Sequence, residues 1–186
     1  YLATAVPSTH PPSYAVADGV RLVTPNELAR IDQSYDNFTV VGAGKTGVDV
    51  CLWLLENGVS ADQIRWIMPR DAWWQNRASV QRGDGFFEAT FGALVAQMES
   101  VATAETMRDI FIKLEGKQQL LRLDRDVEPE MYRGAIMSID ELAPLRTIDD
   151  VVRQGRVERI ENAQIVMAKG IVPAKPDTLY IDCSAS

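Results

Sequence analysis

Apolar and polar positions alternate in different ways along this chain, and the changes of pattern mark its elements. Phe38 to Val41 is a short β-branched apolar run closed by Gly42, the signature of a buried strand. From Thr46 onward Val48, Cys51, Leu52 and Leu55 recur at helical spacing, and Asn57-Gly58 supplies a helix stop. Ile64 to Met68 reads as a second strand, stopped by Pro69. Strand, helix and strand within about thirty residues is the length of a βαβ unit.

The flanks differ. Residues 1–23 read as irregular with short extended pieces, because Val6-Pro7-Ser8-Thr9-His10-Pro11-Pro12 is closed to helix by its prolines. Thr24-Pro25-Asn26-Glu27 offers an N-cap threonine, a proline at the first helical position and a glutamate three residues after the cap. It predicts a short helix from about Pro25 to Ile31. From Asp71 to about Gly155 no strand pattern stands out. Phe87, Phe91, Leu94, Val95 and Met98 have helical spacing, as do Met107, Ile110, Phe111 and Leu114 ahead of Gly116. Ser138-Ile139-Asp140-Glu141 is a capping box, and Thr147-Ile148-Asp149-Asp150 predicts a last short helix ended by Gly155. A helical insertion over about 72–154, acting as a lid or a docking face, is therefore expected. The β pattern then returns: Arg156 to Ile160 as a strand, Ala163 to Ala168 and Ile171 to Ala174 as a hairpin about Lys169-Gly170, and Thr178 to Asp182 as a final strand.

Composition narrows the classes. Hydrophobic residues are 46% of the 186 and charged ones 24%, enough to pack a core. The formal net charge of −7 argues against nucleic acid as a partner, which calls for a basic patch. No apolar run of about 18 residues suggests a membrane span. Tyr1 opens without a signal peptide, so cytoplasm is the expected compartment, and the absence of an initiator methionine suggests an excised piece of a larger protein. Cys51 and Cys183 stand far apart with no C-x-x-C between them, and His10 is the one histidine, so neither a dithiol centre nor the usual zinc site is expected.

The residues that carry chemistry are Gly42-Ala43-Gly44-Lys45-Thr46-Gly47, a G-x-G-x-x-G. Glycines at this spacing also occur by chance; here a strand precedes them and an amphipathic helix follows, the context that makes such a loop a nucleotide cradle. Gly42 permits the tight turn, Gly44 lets backbone approach a pyrophosphate, and Gly47 lets helix and strand pack closely. Amides and dipole at the helix start favour the phosphate charge, and Lys45 and Thr46 add a cation and a hydroxyl. The second glycine comes too early for a P-loop.

Nucleotide choice rests on the end of the second strand, about twenty residues after the loop, where NAD- and FAD-binding folds place an acid on the ribose. This chain has Pro69-Arg70-Asp71 there. Arg70 can make a charge-assisted contact with a 2′-phosphate, which favours NADP(H) over NAD(H). NAD stays open if Asp71, not Arg70, faces the ribose. Arg77 is a second phosphate candidate or else a solvated surface charge. Trp73 and Trp74 are adenine-stacking candidates or, more commonly for such a pair, core. Cys51 reads as a buried hydrophobe, and Cys183 as a thiol after the last strand with no base in view.

The chain resembles, over nearly its full length, the pyridine-nucleotide domain of flavoproteins with two dinucleotide-binding domains, the plan shared by flavin-containing monooxygenases and the disulfide-reductase superfamily. The likeness rests on Tyr1-Leu2-Ala3-Thr4-Ala5 with Pro7, on Gly42 to Gly47, on Met68-Pro69-Arg70-Asp71, and on the strand, meander and final strand from Arg156 to Asp182, after which Asp182-Cys183-Ser184-Ala185 would lead back toward a flavin domain. Ala5 departs from the family's usual glycine, the helical insertion is not part of the minimal domain, and the FAD-binding glycine loop is absent.

The resemblance implies a single Rossmann-type α/β domain over 1–186, three-layered and mainly parallel, with helices on both faces, a β-meander and the helical insertion. It implies NADP(H) as ligand, and FAD in the full-length protein but not in this piece. The missing flavin domain would be the partner, and the nicotinamide would be positioned for hydride transfer to flavin. No residue here has to act as acid, base or nucleophile. Besides FAD itself in this site, against which Arg70 in place of an acid weighs, two other readings stand beside it. One is a degenerate nucleotide-binding or protein-interaction module. The other is a stand-alone NAD(P)-dependent dehydrogenase, for which the needed Tyr-x-x-x-Lys or His–carboxylate set is missing.

Overall fold

The computed structural model describes residues 11–81 and 83–184. The flavin-domain-like segment Tyr1 to Ala5, with Pro7 and His10, lies outside them, as does Ala185. In chain order the elements are β1 (Ala15–Val16), β2 (Leu22–Val23), α1 (Pro25–Leu28), β3 (Asn37–Val41), α2 (Lys45–Glu56), β4 (Ile64–Ile67), β5 (Ala72–Asn76), α3 (Phe87–Thr103), α4 (Met107–Gly116), β6 (Leu120–Leu121), β7 (Met131–Met137), α5 (Ile139–Leu145), β8 (Asp150–Val152), β9 (Val157–Ile160), β10 (Gln164–Met167), β11 (Gly170–Pro173) and β12 (Thr178–Asp182). They form two compact units: the residues up to Arg70 together with those from Thr147, and Asp71–Arg146.

The first unit is a three-layer, Rossmann-like α/β fold. Its central sheet has the order β2-β12-β3-β4-β8, and every pairing in it is parallel. Parallel strands buried on both faces read as largely apolar runs, which is why Phe38 to Val41 and, around the one charge of Arg65, Ile64 to Ile67 are legible in the sequence. Successive residues of a strand point to opposite faces. Trp66 lies on the face covered by α2, whose Val48, Cys51 and Leu54 are buried. Ile67 points the other way, into a core with Val41, Val152, Ile160, Ile165, Met167 and Tyr180. A second sheet, β1-β9-β10-β11, builds that core. The meander sheet, and not a second helical layer, covers this face.

Asp150 and Lys175 meet the meander-side face of the central sheet through Arg65. The Arg65 guanidinium is buried, donating from Nε to Asp150 Oδ2 at 3.0 Å and from Nη1 to the Pro173 carbonyl at 2.6 Å. Lys175 Nζ reaches the same Asp150 oxygen at 3.0 Å. One cation thus joins β4, the edge strand β8 and the end of β11.

The second unit corrects the expectation of a purely helical insertion. α3, α4 and the capping box at Ser138 that starts α5 are present as expected. Beside them stands a three-stranded sheet, β6-β5-β7, in which β5 pairs parallel with β7 and antiparallel with β6. Trp73 and Trp74 are buried in β5, and Trp73 stacks on Phe111 at 5.8 Å with the Arg122 guanidinium 4.9 Å from its ring centroid. The insertion ends at Arg146, not near 154, because Asp150–Val152 is no helix. It is β8, the edge strand of the central sheet, paired with Arg65 to Ile67. A three-residue strand is too short to show a period, while Thr147 with Asp150 mimics a capping box. The first helix stops at Leu28 instead of Ile31, held by the Thr24–Glu27 capping box.

Arg65 supplies a stability test. Arg65→Met keeps the stem and removes hydrogen bonds made by a buried charge, each worth about 1.5–3 kcal/mol. We expect the urea midpoint to fall by the equivalent of about 3–5 kcal/mol. An unchanged midpoint would show that the pair adds nothing to the sheet.

Candidate functional site

The parallel order puts every carboxyl end of the central sheet on one edge, where ligands of open α/β sheets gather. The register sets Val41 beside Ile67 on one side and Asp182 on the other. The ladder then runs on past the strands: Gly42 N–H donates to the Ile67 carbonyl at 3.0 Å, Cys183 N–H to the Val41 carbonyl at 2.8 Å, and Met68 N–H to the Val152 carbonyl at 2.9 Å. Gly42 is therefore a fixed point from which the loop departs.

The three glycines of the loop differ in what they meet. At Gly42, with φ of +129°, an added Cβ would lie 2.5 Å from the Cys183 carbonyl oxygen. At Gly47 it would lie 2.3 Å from the Gly42 carbonyl oxygen. Both are demanded by the chain's own packing, whatever the loop binds. The Gly42 carbonyl is held further by the indole of Trp66, whose Nε1–H donates to it at 2.8 Å. Gly44 is the exception. Its backbone is extended, it caps α2 without a side-chain hydrogen bond, and a Cβ there would meet nothing within 4 Å. Among the described residues no packing contact requires glycine at that position, and open space lies where a side chain would project.

Lys45 and Thr46 open α2 beside this space. Lys45 Nζ pairs with Asp49 one turn on, at 2.5 Å, with both groups partly in solvent. Pro69 ends β4 by removing the next ladder amide. Arg70, one residue later, is exposed and engages no hydrogen-bond or ion-pair partner among the described residues. It stands in the bend three residues past Ile67, the end of the strand next to the one that feeds the loop. The structure therefore gathers Gly42, Ala43, Gly44, Lys45, Thr46, Gly47, Pro69 and Arg70 on one edge of one unit. Arg77 belongs to the other unit, where its guanidinium lies 3.5 Å from Glu141. Asp71 is in that unit too; it is buried, and its carbonyl accepts from Glu130 N–H.

Two groups at this edge escape sequence reading. Asp182, buried at the end of β12, accepts from the amide and the hydroxyl of Ser184 at 3.0 and 2.6 Å, fixing the turn that follows. Tyr14 is buried beside it, its hydroxyl facing the carboxylate without hydrogen-bond geometry; burial first, then the Asp182 charge, push the phenol up. A tyrosine ahead of a two-residue strand carries no pattern. Cys51 and Cys183 are free and buried, and burial pushes both thiols up, with the Asp182 and Asp49 carboxylates adding to the effect on Cys183. Among the described residues no cluster of His, Cys, Asp or Glu is placed to hold a metal ion, and no helix is long and apolar enough to cross a membrane.

No protein-family model matches the chain. Uncharacterized proteins of Mycobacterium tuberculosis (in two strains) and Mycobacterium bovis are each 49% identical to it over 185 residues. The match takes in 100% of this chain and 34% of each relative, so the chain spans about a third of their length. Among solved structures, an L-lysine 6-monooxygenase from Pseudomonas syringae aligns with a TM-score of 0.36 and 12% identity, over 86% of this chain and 38% of that one.

Two outcomes follow from this geometry. Gly47→Ala forces a carbon against the Gly42 carbonyl and should cost about 1–3 kcal/mol, read in the urea midpoint; a neutral substitution would mean that the turn relaxes freely. Neither thiol should react with a disulfide reagent at pH 8 in the native protein, and both should react after unfolding. Burial holds both neutral, so a fast native reaction at that pH would contradict their placement.

Proposed function

We propose that this chain binds NADP(H) through Gly42 to Gly47, with Arg70 reading the 2′-phosphate, and that it serves as the nicotinamide-nucleotide domain of an FAD-dependent oxidoreductase. The observation that carries this is Gly44. Its neighbours Gly42 and Gly47 are explained by internal packing, whereas the open space beside Gly44, at the start of α2, leaves room for a ligand to approach the backbone. At a helix start after a parallel strand, a pyrophosphate is the ligand such a space suits. The open setting of Arg70 supports the choice of NADP(H), since a free guanidinium forks onto phosphate oxygens. Asp71, buried in the other unit, is poorly available to a ribose. The resemblance to flavoproteins with two dinucleotide-binding domains supplies the flavin partner. The relatives, about three times as long as this chain, have length for such a domain.

In this reading the residues bind and orient. The α2 amides and the Gly42–Gly47 backbone hold the pyrophosphate, Lys45 adds charge, and Arg70 sorts NADP from NAD. NADP(H), when bound, supplies the hydride chemistry, and a flavin on the longer protein would receive it.

Calorimetric titration with NADPH, NADH and FAD tests the proposal. NADPH should bind more tightly than NADH, and Arg70→Ala should erase the difference, a loss of roughly 10- to 100-fold for a charge-assisted contact. Gly44→Val should abolish binding and leave the urea midpoint near wild type. If Gly44→Val bound NADPH normally, or if the wild type bound FAD in preference to NADPH, the assignment would fall. Binding of none of the three would favour the interaction-module reading instead.

A further inference from the structure

α3 packs the wrong way round for a helix of a self-sufficient unit. Its buried residues are small: Ala93, Ala96 and Ser100, the last with its hydroxyl turned back onto the Ala96 carbonyl at 2.6 Å. Its large apolar residues face out. Phe87, Phe91, Leu94, Met98 and Val101 are exposed to between 46% (Leu94) and 62% (Met98), and Val95 on the same helix is exposed too. The Phe87 and Phe91 rings lie against each other at 4.4 Å, as neighbours on one stripe.

The spacing of the stripe identifies what would cover it. Phe87, Phe91, Leu94, Met98 and Val101 are separated by four, three, four and three residues. This spacing fits the a and d positions of two heptads, and a second helix with the same spacing is suited to cover it. Ala93, Ala96 and Ser100 fall on the opposite side, so the seam points squarely away from the helix's own support. The exposed apolar side chains of the seam with Val95 add up to on the order of 600 Å², at the top of the range of a typical monomer's largest patch and a large part of the roughly 800 Å² per partner of a standard interface.

Charge narrows the occupant further. α3 contains no lysine or arginine; its charged residues are Glu88 and Glu99, both off the seam, and Glu99 is engaged by Lys117 at 2.6 Å. Helices that lie on anionic lipid carry cations on their polar face, and this one carries none. Another copy of α3 suits it. Packed antiparallel, Leu94 of each copy meets Met98 of the other, each Glu88 is kept away from its counterpart, and the helix dipoles oppose. The contact is isologous and closes at two.

We infer that α3 pairs antiparallel with α3 of a second copy, making the chain a homodimer through its Phe87-to-Val101 seam. The dinucleotide reading is not needed for this. Sedimentation equilibrium of the 186-residue chain at micromolar concentrations should give twice the chain mass. Phe91→Asp with Met98→Asp should give the single mass, with the far-ultraviolet circular dichroism retained. Because that pair could unfold the unit, an independent arm uses Leu94→Cys and Met98→Cys chains, mixed and oxidised. They should cross-link between positions 94 and 98, whereas Glu115→Cys chains should not cross-link. A monomer at all concentrations, a dimer that survives both aspartates, or a dimer without the 94–98 cross-link would each overturn the inference. A monomer would assign the stripe to some other segment or partner.

Discussion

The Gly42 carbonyl is the constraint on which the rest of the first unit turns. It accepts from the Trp66 indole at 2.8 Å, and Gly47 presses against it so closely that no Cβ fits between them. On the other side the Gly42 α-carbon sits against the Cys183 carbonyl. A single residue thus fixes the spacing of β3, β4 and β12 at their carboxyl ends and aims α2 away from the edge. Loosening it would shift the helix start, and with it the amides and charge that the proposed function uses.

The central sheet tolerates a long interruption because its own bonds do not depend on it. β4 and β8 are adjacent and parallel, and the chain between them leaves to build the whole unit Asp71–Arg146. A crossover between parallel strands needs only a dozen or so residues. What secures β8 is the Arg65–Asp150 pair, backed by Lys175, together with Val152 in the core that the meander covers.

The βαβ start was legible because each of its signals is local and redundant: an apolar run, glycines, a helical stripe and a stop. β12 was legible for the same reason, and Thr178 to Asp182 matches the strand residue for residue. β8 was hidden, since three residues show no period and Thr147 with Asp150 resembles a cap. β5 and β7 were hidden because their identity as strands comes from pairing with each other, 55 or more residues apart in sequence, as Ala72 with Met131 or Asn76 with Met137. The site divides the same way. The glycine loop and Arg70 carry a motif and its spacing. The Trp66 indole, Tyr14 and Asp182 matter only once folding brings their strands together. The stripe on α3 is legible as helical, but periodicity alone does not say whether such a stripe faces inward.

The most direct measurement of the central claim is the two-dimensional amide nuclear magnetic resonance spectrum of the ¹⁵N-labelled chain during addition of NADPH. A pyrophosphate seated on the glycine loop should move the amides of Gly44, Lys45, Thr46 and Gly47 saturably and together, while those of α3 stay in place. Saturable shifts confined to other residues, or no shifts at the loop, would show that the loop is a structural turn and that the chain does not hold a dinucleotide there.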